Sequence, residues 1–158
     1  MKSVLLVTGL VAGGVGAHVA DLAAGLQSVG WHVSVAAPAV VTQRFGLACE
    51  QMRTLDLAVG SRPSLLADAS AIWALRRQMS RVEVVHAHGL RAGAMAVIAR
   101  GLTRAPGPAN TPALVVTSHN ATPSGGMSGR VYALLARVVV RAADELLVVS
   151  PDLHPERS

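Results

Sequence analysis

Two sets of residues in this chain have types and spacings suited to chemistry. The first is the glycine cluster Gly9, Gly13, Gly14 and Gly16, which separates an apolar run from a periodic segment that begins near His18. Glycine has no Cβ, so Gly13, Gly14 and Gly16 let backbone N–H groups approach a ligand closely, and a helix starting there points its positive end at the same place. That combination suits an anion; the competing reading is a tight turn that only lets strand and helix pack. The second set is histidine. Of six, His18, His86, His88 and His119 fall on the expected carboxyl edge of a sheet, His32 starts a strand at the opposite edge, and His154 lies in the tail. The period of two in His86-Ala87-His88 places both rings on one face of a strand. Neutral imidazoles at such an edge exchange hydrogen bonds with hydroxyls, and histidine can act as a base near neutral pH. A metal would recruit carboxylates or cysteines as well, and none stands beside these histidines. His88 and His119 together are therefore expected to serve a ligand, without a metal.

Three phosphate-binding templates fail on specific residues. The dinucleotide fingerprint is met by Gly14 and Gly16 but ends in Val19, and Ala36-Ala37-Pro38 offers no acid for a ribose. A P-loop needs lysine after its last glycine, where Val15 follows Gly14. The short-chain dehydrogenase spacing misses by one residue, and Tyr132 has Ala136 where a lysine would stand.

The elements that would carry these residues alternate. Val4–Thr8 reads as a strand buried on both faces, Val15–Val29 as a helix, and His32–Ala37 as a second strand. A weaker strand over Gln51–Leu57 precedes a helix from Pro63 to about Ser80; Glu83–His88 is a strand and Ala92–Leu102 a helix. The proline-rich stretch Arg104–Pro112 is a surface connection. Leu114–Ser118 is a strand, Thr122–Gly129 a Gly/Ser loop, Val131–Ala142 a helix and Glu145–Val149 the last strand. This order predicts an α/β fold, a doubly wound, mainly parallel, Rossmann-like sheet over residues 1–150, with ligands at the carboxyl ends of its strands. Residues 151–158 are too few for another βα unit and read as a tail or the start of a continuation.

Bulk properties narrow the classes. A chain of 158 residues, 51% hydrophobic, is sized for one domain with a sizeable core. Its 14 basic and 9 acidic residues include only one lysine, Lys2. The arginines are scattered with few aromatics among them, which argues against nucleic-acid binding. Cys49 is the only cysteine, so no internal disulfide forms, a reduced cytoplasmic setting is the simplest reading, and a buried, inert thiol is expected. Lys2, the run Val4–Gly16 and the small residues after it have the outline of a secretion leader. Val19, Leu22, Ala23 and Leu26 continue at helical spacing, so strand, loop and helix account for more residues. No apolar run approaches the roughly 18 residues of a membrane span.

Taken in order, several stretches resemble the large family-four type of GT-B glycosyltransferases. These are Gly13-Gly14-Val15-Gly16-Ala17-His18 through Gly30-Trp31-His32-Val33; Val84-Val85-His86-Ala87-His88; Val115-Val116-Thr117-Ser118-His119-Asn120; and Ala143-Asp144-Glu145-Leu146-Leu147-Val148-Val149-Ser150. The resemblance implies one Rossmann-like half of such an enzyme, an N-terminal domain that binds mainly the acceptor. It implies a missing C-terminal domain that binds the nucleotide-sugar, transfer with retention, no cofactor and no metal. By position it assigns Gly13 and Gly14 to the donor diphosphate, His119 to the transferred sugar or reacting centre, and His18, His88 and Asn120 to the acceptor or ligand. Glu83 and Asn120 replace the usual aspartates, and Gly16 is an extra glycine. The chain alone is then expected to transfer no sugar. A free-standing module that holds a phosphorylated or nucleotide ligand without catalysis is the alternative.

The acceptor stays open among sugar, lipid-linked and small-molecule classes. Arg130, Arg137 and Arg141 stack on one face of the late helix, with Val131, Leu135, Val138 and Val139 elsewhere. That basic face fits either a solvated surface or contact with the inner face of a membrane. An apolar patch where the missing domain docks would let the chain self-associate.

Overall fold

The computed structural model describes residues 2–11, 13–50, 52–57, 64–102, 111–119 and 126–149. They alternate as β1 (Ser3–Thr8), α1 (Gly14–Ser28), β2 (His32–Ala37), α2 (Ala39–Arg44), β3 (Arg53–Asp56), α3 (Leu65–Met79), β4 (Val84–His88), α4 (Leu90–Leu102), β5 (Ala113–Ser118), α5 (Gly126–Ala142) and β6 (Glu145–Val148). The six strands form one parallel sheet in the order β3-β2-β1-β4-β5-β6. The chain winds outward from β1 to β3, then α3 carries it back to β4 on the other side of β1. The order reverses between β1 and β4, and in open α/β sheets the ligand crevice lies at such a switch point, outside the carboxyl ends of the strands.

The two faces of the sheet are filled differently. Leu5, Val7, Val85, Ala87, Leu114 and Val116 point toward α3, α4 and α5 and form the larger core with Leu75, Met79 and Val139. Val4, Leu6, Val33 and Val35 meet Val19 and Ala23 of α1 and Val41 of α2 in the smaller one. Central α4 lies close to the sheet because its inner side is small: Ala92, Ala96 and Ala99 are buried, and a Cβ on Gly93 would come 2.8 Å from Val116 Cγ1. On the α1 side of β6, Leu147 and neighbouring Val149 remain exposed.

Two pairings close the amino end of the sheet. The Ser3 N–H donates to Glu83 Oε2 at 3.1 Å while the Glu83 N–H donates to Ser3 Oγ at 3.2 Å, which locks the starts of β1 and β4 together. Asp144 Oδ2 accepts from the Leu114 N–H at 2.7 Å and from Arg100 at 2.5 Å, and Arg100 also donates to the Ala142 carbonyl. These bonds, the Leu114 amide foremost, hold the Asp144 carboxyl below its ordinary range. The aspartate of the last sequence motif is thus a brace between α4, β5 and β6, on the edge opposite the crevice.

The alternation expected from sequence is present, with three corrections. The short helix α2 was not anticipated; its first N–H, from Ala39, donates to Asp56 Oδ1 at the end of β3. The expected Gly/Ser loop over Thr122–Gly129 is helical from Gly126 onward. Cys49 is exposed rather than buried, in a turn whose Cys49 carbonyl accepts from the Met52 N–H at 3.0 Å. Pro63, most of the proline-rich connection and the tail from residue 150 lie outside the described residues.

Candidate functional site

The crevice is built from three strand ends. After β1 the chain reaches Gly13, whose φ of 57° and ψ of −127° form a backbone shape available essentially to glycine alone. Helix α1 starts at Gly14, and its first turn contains no acidic residue and no side-chain cap. The leading N–H groups of a helix have no intrahelical acceptor. Gly13 and Gly14 are exposed and a Cβ at either would meet nothing within 4 Å among the described residues, so none of these blocks the approach of an anion to this end of α1. Gly16 is different: it is buried one turn on, where a Cβ would overlap the Phe45 ring. Its role is packing against the end of α2, and it is not part of a cradle.

Strand β4 ends at His88 and turns through Gly89, whose φ is +89° and whose N–H donates to the Thr117 carbonyl at 2.8 Å. This turn allows α4 to begin at once while keeping β4 and β5 paired to their ends. Gly89 was not singled out from the sequence, although a glycine directly after a strand is the signal that could have found it.

The histidines converge here. His88, only 2% exposed, is the centre of the group. His18, from the second turn of α1, meets the rings of His88 and His119 edge-on, each at 5.6 Å between centroids. The rings of His88 and His119 lie edge to edge and nearly parallel, 24° apart with centroids 5.5 Å apart, and His88 Nδ1 is 3.2 Å from His119 Nε2. One pair deeper in the sheet, His86 stacks on His88 at 4.3 Å and its Nε2 lies 2.7 Å from the hydroxyl of buried Thr117. Burial first, then the neighbouring imidazoles, lowers His86 to about 4 and His88 to about 3; burial and His18 also lower His119. The rings of His86, His88 and His119 are therefore neutral at physiological pH and can only exchange hydrogen bonds.

Of the sequence-predicted residues, Gly13, Gly14, His18, His88 and His119 all stand at this one edge; Asn120 lies outside the described residues. His32 opens β2 at the far edge. Among the described residues no three histidine, cysteine or acidic side chains are arranged to hold a metal ion. On α5, Arg130, Arg137 and Arg141 are exposed as expected. Val131 and Leu134 are also exposed, 45% and 61%, so the outer face of that helix is mixed.

The comparisons agree with this architecture. The MurG structure from Acinetobacter baumannii superposes with a TM-score of 0.66 at 16% identity, over 100% of this chain and 44% of that one. A UDP-N-acetylglucosamine 2-epimerase gives 0.66 at 15%, over 96% and 43%. The chain therefore spans less than half the length of either. A short-chain dehydrogenase/reductase from Veillonella parvula, solved with NADP, gives 0.57 at 15%, over 93% and 67%; at such identities the likeness is one of fold. No curated protein sequence matches the chain. The glycosyl transferase 4-like domain matches residues 13–155, from the α1 glycines past β6, and the chain accordingly belongs to that family, with a GT-B glycosyltransferase-like fold.

Proposed function

We propose that this chain is the N-terminal, acceptor-side domain of a retaining glycosyltransferase that takes a sugar from a nucleotide-sugar donor, with a second domain completing the site. The observation that carries the reading is the meeting of an uncapped, acid-free start of α1 with three histidines at the switch point of the sheet. A nucleoside diphosphate leaving group gains negative charge as the glycosidic bond to it breaks. Backbone N–H groups at Gly13 and Gly14, together with the positive end of α1, stabilise that charge without a metal. His119 contacts the transferred sugar or the reacting centre, and His18, His88 and Asn120 line the acceptor side. The reaction takes place in the cytoplasm, at the inner face of the membrane where the acceptor is lipid-linked. No helix among the described residues is long and apolar enough to cross a membrane.

The name of one structural neighbour contains a UDP-sugar, which makes UDP the first ligand to try. Titration of the 15N-labelled chain with UDP, and with pyrophosphate as a phosphate-only control, is expected to shift the backbone amides of Gly13, Gly14 and His18. Unmoved amides at millimolar ligand would overturn the phosphate assignment. With UDP-sugar and acceptor, the chain alone is expected to transfer sugar no faster than a protein-free blank.

A further inference from the structure

His88 carries two ring nitrogens in unequal surroundings. Nδ1 lies 3.2 Å from His119 Nε2. Nε2 is fully enclosed and has no hydrogen-bond partner among the described residues. The contact between the two rings holds one proton, and its position decides the state of both. If His119 donated from Nε2, a neutral His88 accepting at Nδ1 would carry its own proton on Nε2, as a buried N–H with no acceptor. If His88 donates from Nδ1, its Nε2 is a bare lone pair. An orphaned buried N–H is the rarer and costlier of the two. A doubly protonated His88 would be a cation only 2% exposed, packed against the rings of His86, His119 and His18 with no anionic partner among the described residues, so burial disfavours it.

We propose that His88 is a positioning residue: neutral and protonated on Nδ1, it donates to Nε2 of His119 and so fixes the His119 ring as the tautomer with its proton on Nδ1. The remaining polar atom of His119 is then an N–H donor. It suits a hydroxyl or a developing oxyanion and cannot serve as a base while the bond to His88 persists. His86 supports the arrangement from below: stacked on His88 and tied to Thr117, it restricts the tilt of the His88 ring. The consequence for catalysis rests on the reading of His119 as a ligand-facing residue; the coupling between the rings does not.

Long-range 1H–15N correlation of the imidazole nitrogens in the labelled chain at pH 7 tests this directly. The expected pattern is Nδ1 protonated and Nε2 bare in both His88 and His119. A proton on His119 Nε2, or a cationic His88, would overturn the proposal. In His88→Phe the His119 tautomer is expected to become mixed. In His88→Asn, whose amide places an N–H close to the position of Nδ1, the wild-type His119 pattern is expected to return. An unchanged His119 pattern in His88→Phe overturns the coupling, and if that variant fails to fold, the wild-type pattern still decides. The same samples titrated with UDP separate the two readings: a wrong tautomer with intact binding removes this inference alone, and the right tautomer without binding removes the phosphate assignment at Gly13 and Gly14 alone.

Discussion

Gly16 in α1 lies against the Phe45 ring so closely that a single added methyl group would occupy the same space. Gly16→Ala should therefore destabilise the fold by about 1–3 kcal/mol, as overpacking does, although alanine is the better helix former by about 1 kcal/mol. The double mutant separates the two effects. In a Phe45→Ala background the clash is gone, so Gly16→Ala should become neutral or stabilising. Urea denaturation of the four proteins in the cycle measures the coupling; additive effects would show that Phe45 simply moves aside.

The neighbouring glycines should behave differently from Gly16 and from each other. A Cβ at Gly13 meets nothing within 4 Å among the described residues, but its φ of 57° with ψ of −127° is strained for any other residue, so Gly13→Ala should cost on the order of 1–3 kcal/mol. Gly14 has neither a positive φ nor, among the described residues, anything within 4 Å of an added Cβ, so Gly14→Ala should leave the melting temperature unchanged. If the start of α1 holds a phosphate, the same change should weaken UDP binding by about tenfold, because the methyl group stands where the ligand must approach. Equal binding by wild type and Gly14→Ala would count against the cradle.

Acid should unfold this protein through its histidines. His86 and His88 start from an ordinary value of 6.5 and are lowered by burial, then by neighbouring rings, to about 4 and about 3. Below pH 6.5 the unfolded chain binds more protons than the folded one. Stability is accordingly full above that pH and declines as pH falls from 6.5 to about 4 for His86 and to about 3 for His88, below which each contribution is fully lost. By pH 4 the loss should reach the order of a few kcal/mol. Melting temperatures from pH 7.5 to 4 test this, with His86→Phe expected to flatten the lower part of the curve; a flat wild-type profile would contradict it.

Asp144 offers a control far from the crevice. Asp144→Ala removes the acceptor for the Leu114 N–H and the partner of Arg100. Because the carboxylate is half exposed, the cost should be about 1 kcal/mol. The imidazole signals of His88 and His119 should not move. Large changes in those signals would mean that the two edges of the sheet are coupled.

Much of the scaffold was legible in the chain itself. Continuous apolar runs such as Val4–Val7 are what a strand covered on both faces requires, and the strand bounds read from them fall within one or two residues of those observed. The exceptions have local causes. Six residues of α2 are too few to display a helical period, and the helix is anchored by Asp56, which arrives from β3. Helix α5 begins within residues that read as loop because glycine and serine are poor helix formers. Asp144 lay within a recognised motif, yet its role as a brace depends on Arg100 and Leu114 being near it.

Residue types and spacing by themselves determined the alternation of strand and helix, the glycine-rich start of α1 and the presence of His18, His88 and His119 near strand ends. Only the tertiary structure decided that these belong together. The return of the chain through α3 places β4 beside β1, and His88 therefore sits between His18 and His119. The same juxtaposition separates Gly16 from Gly13 and Gly14, because whether a missing Cβ makes room for a ligand or for Phe45 depends on what the fold brings opposite it. The protonation states follow last. An isolated histidine titrates near 6.5, and it is burial among other imidazoles, set by strand register, that keeps His86, His88 and His119 neutral.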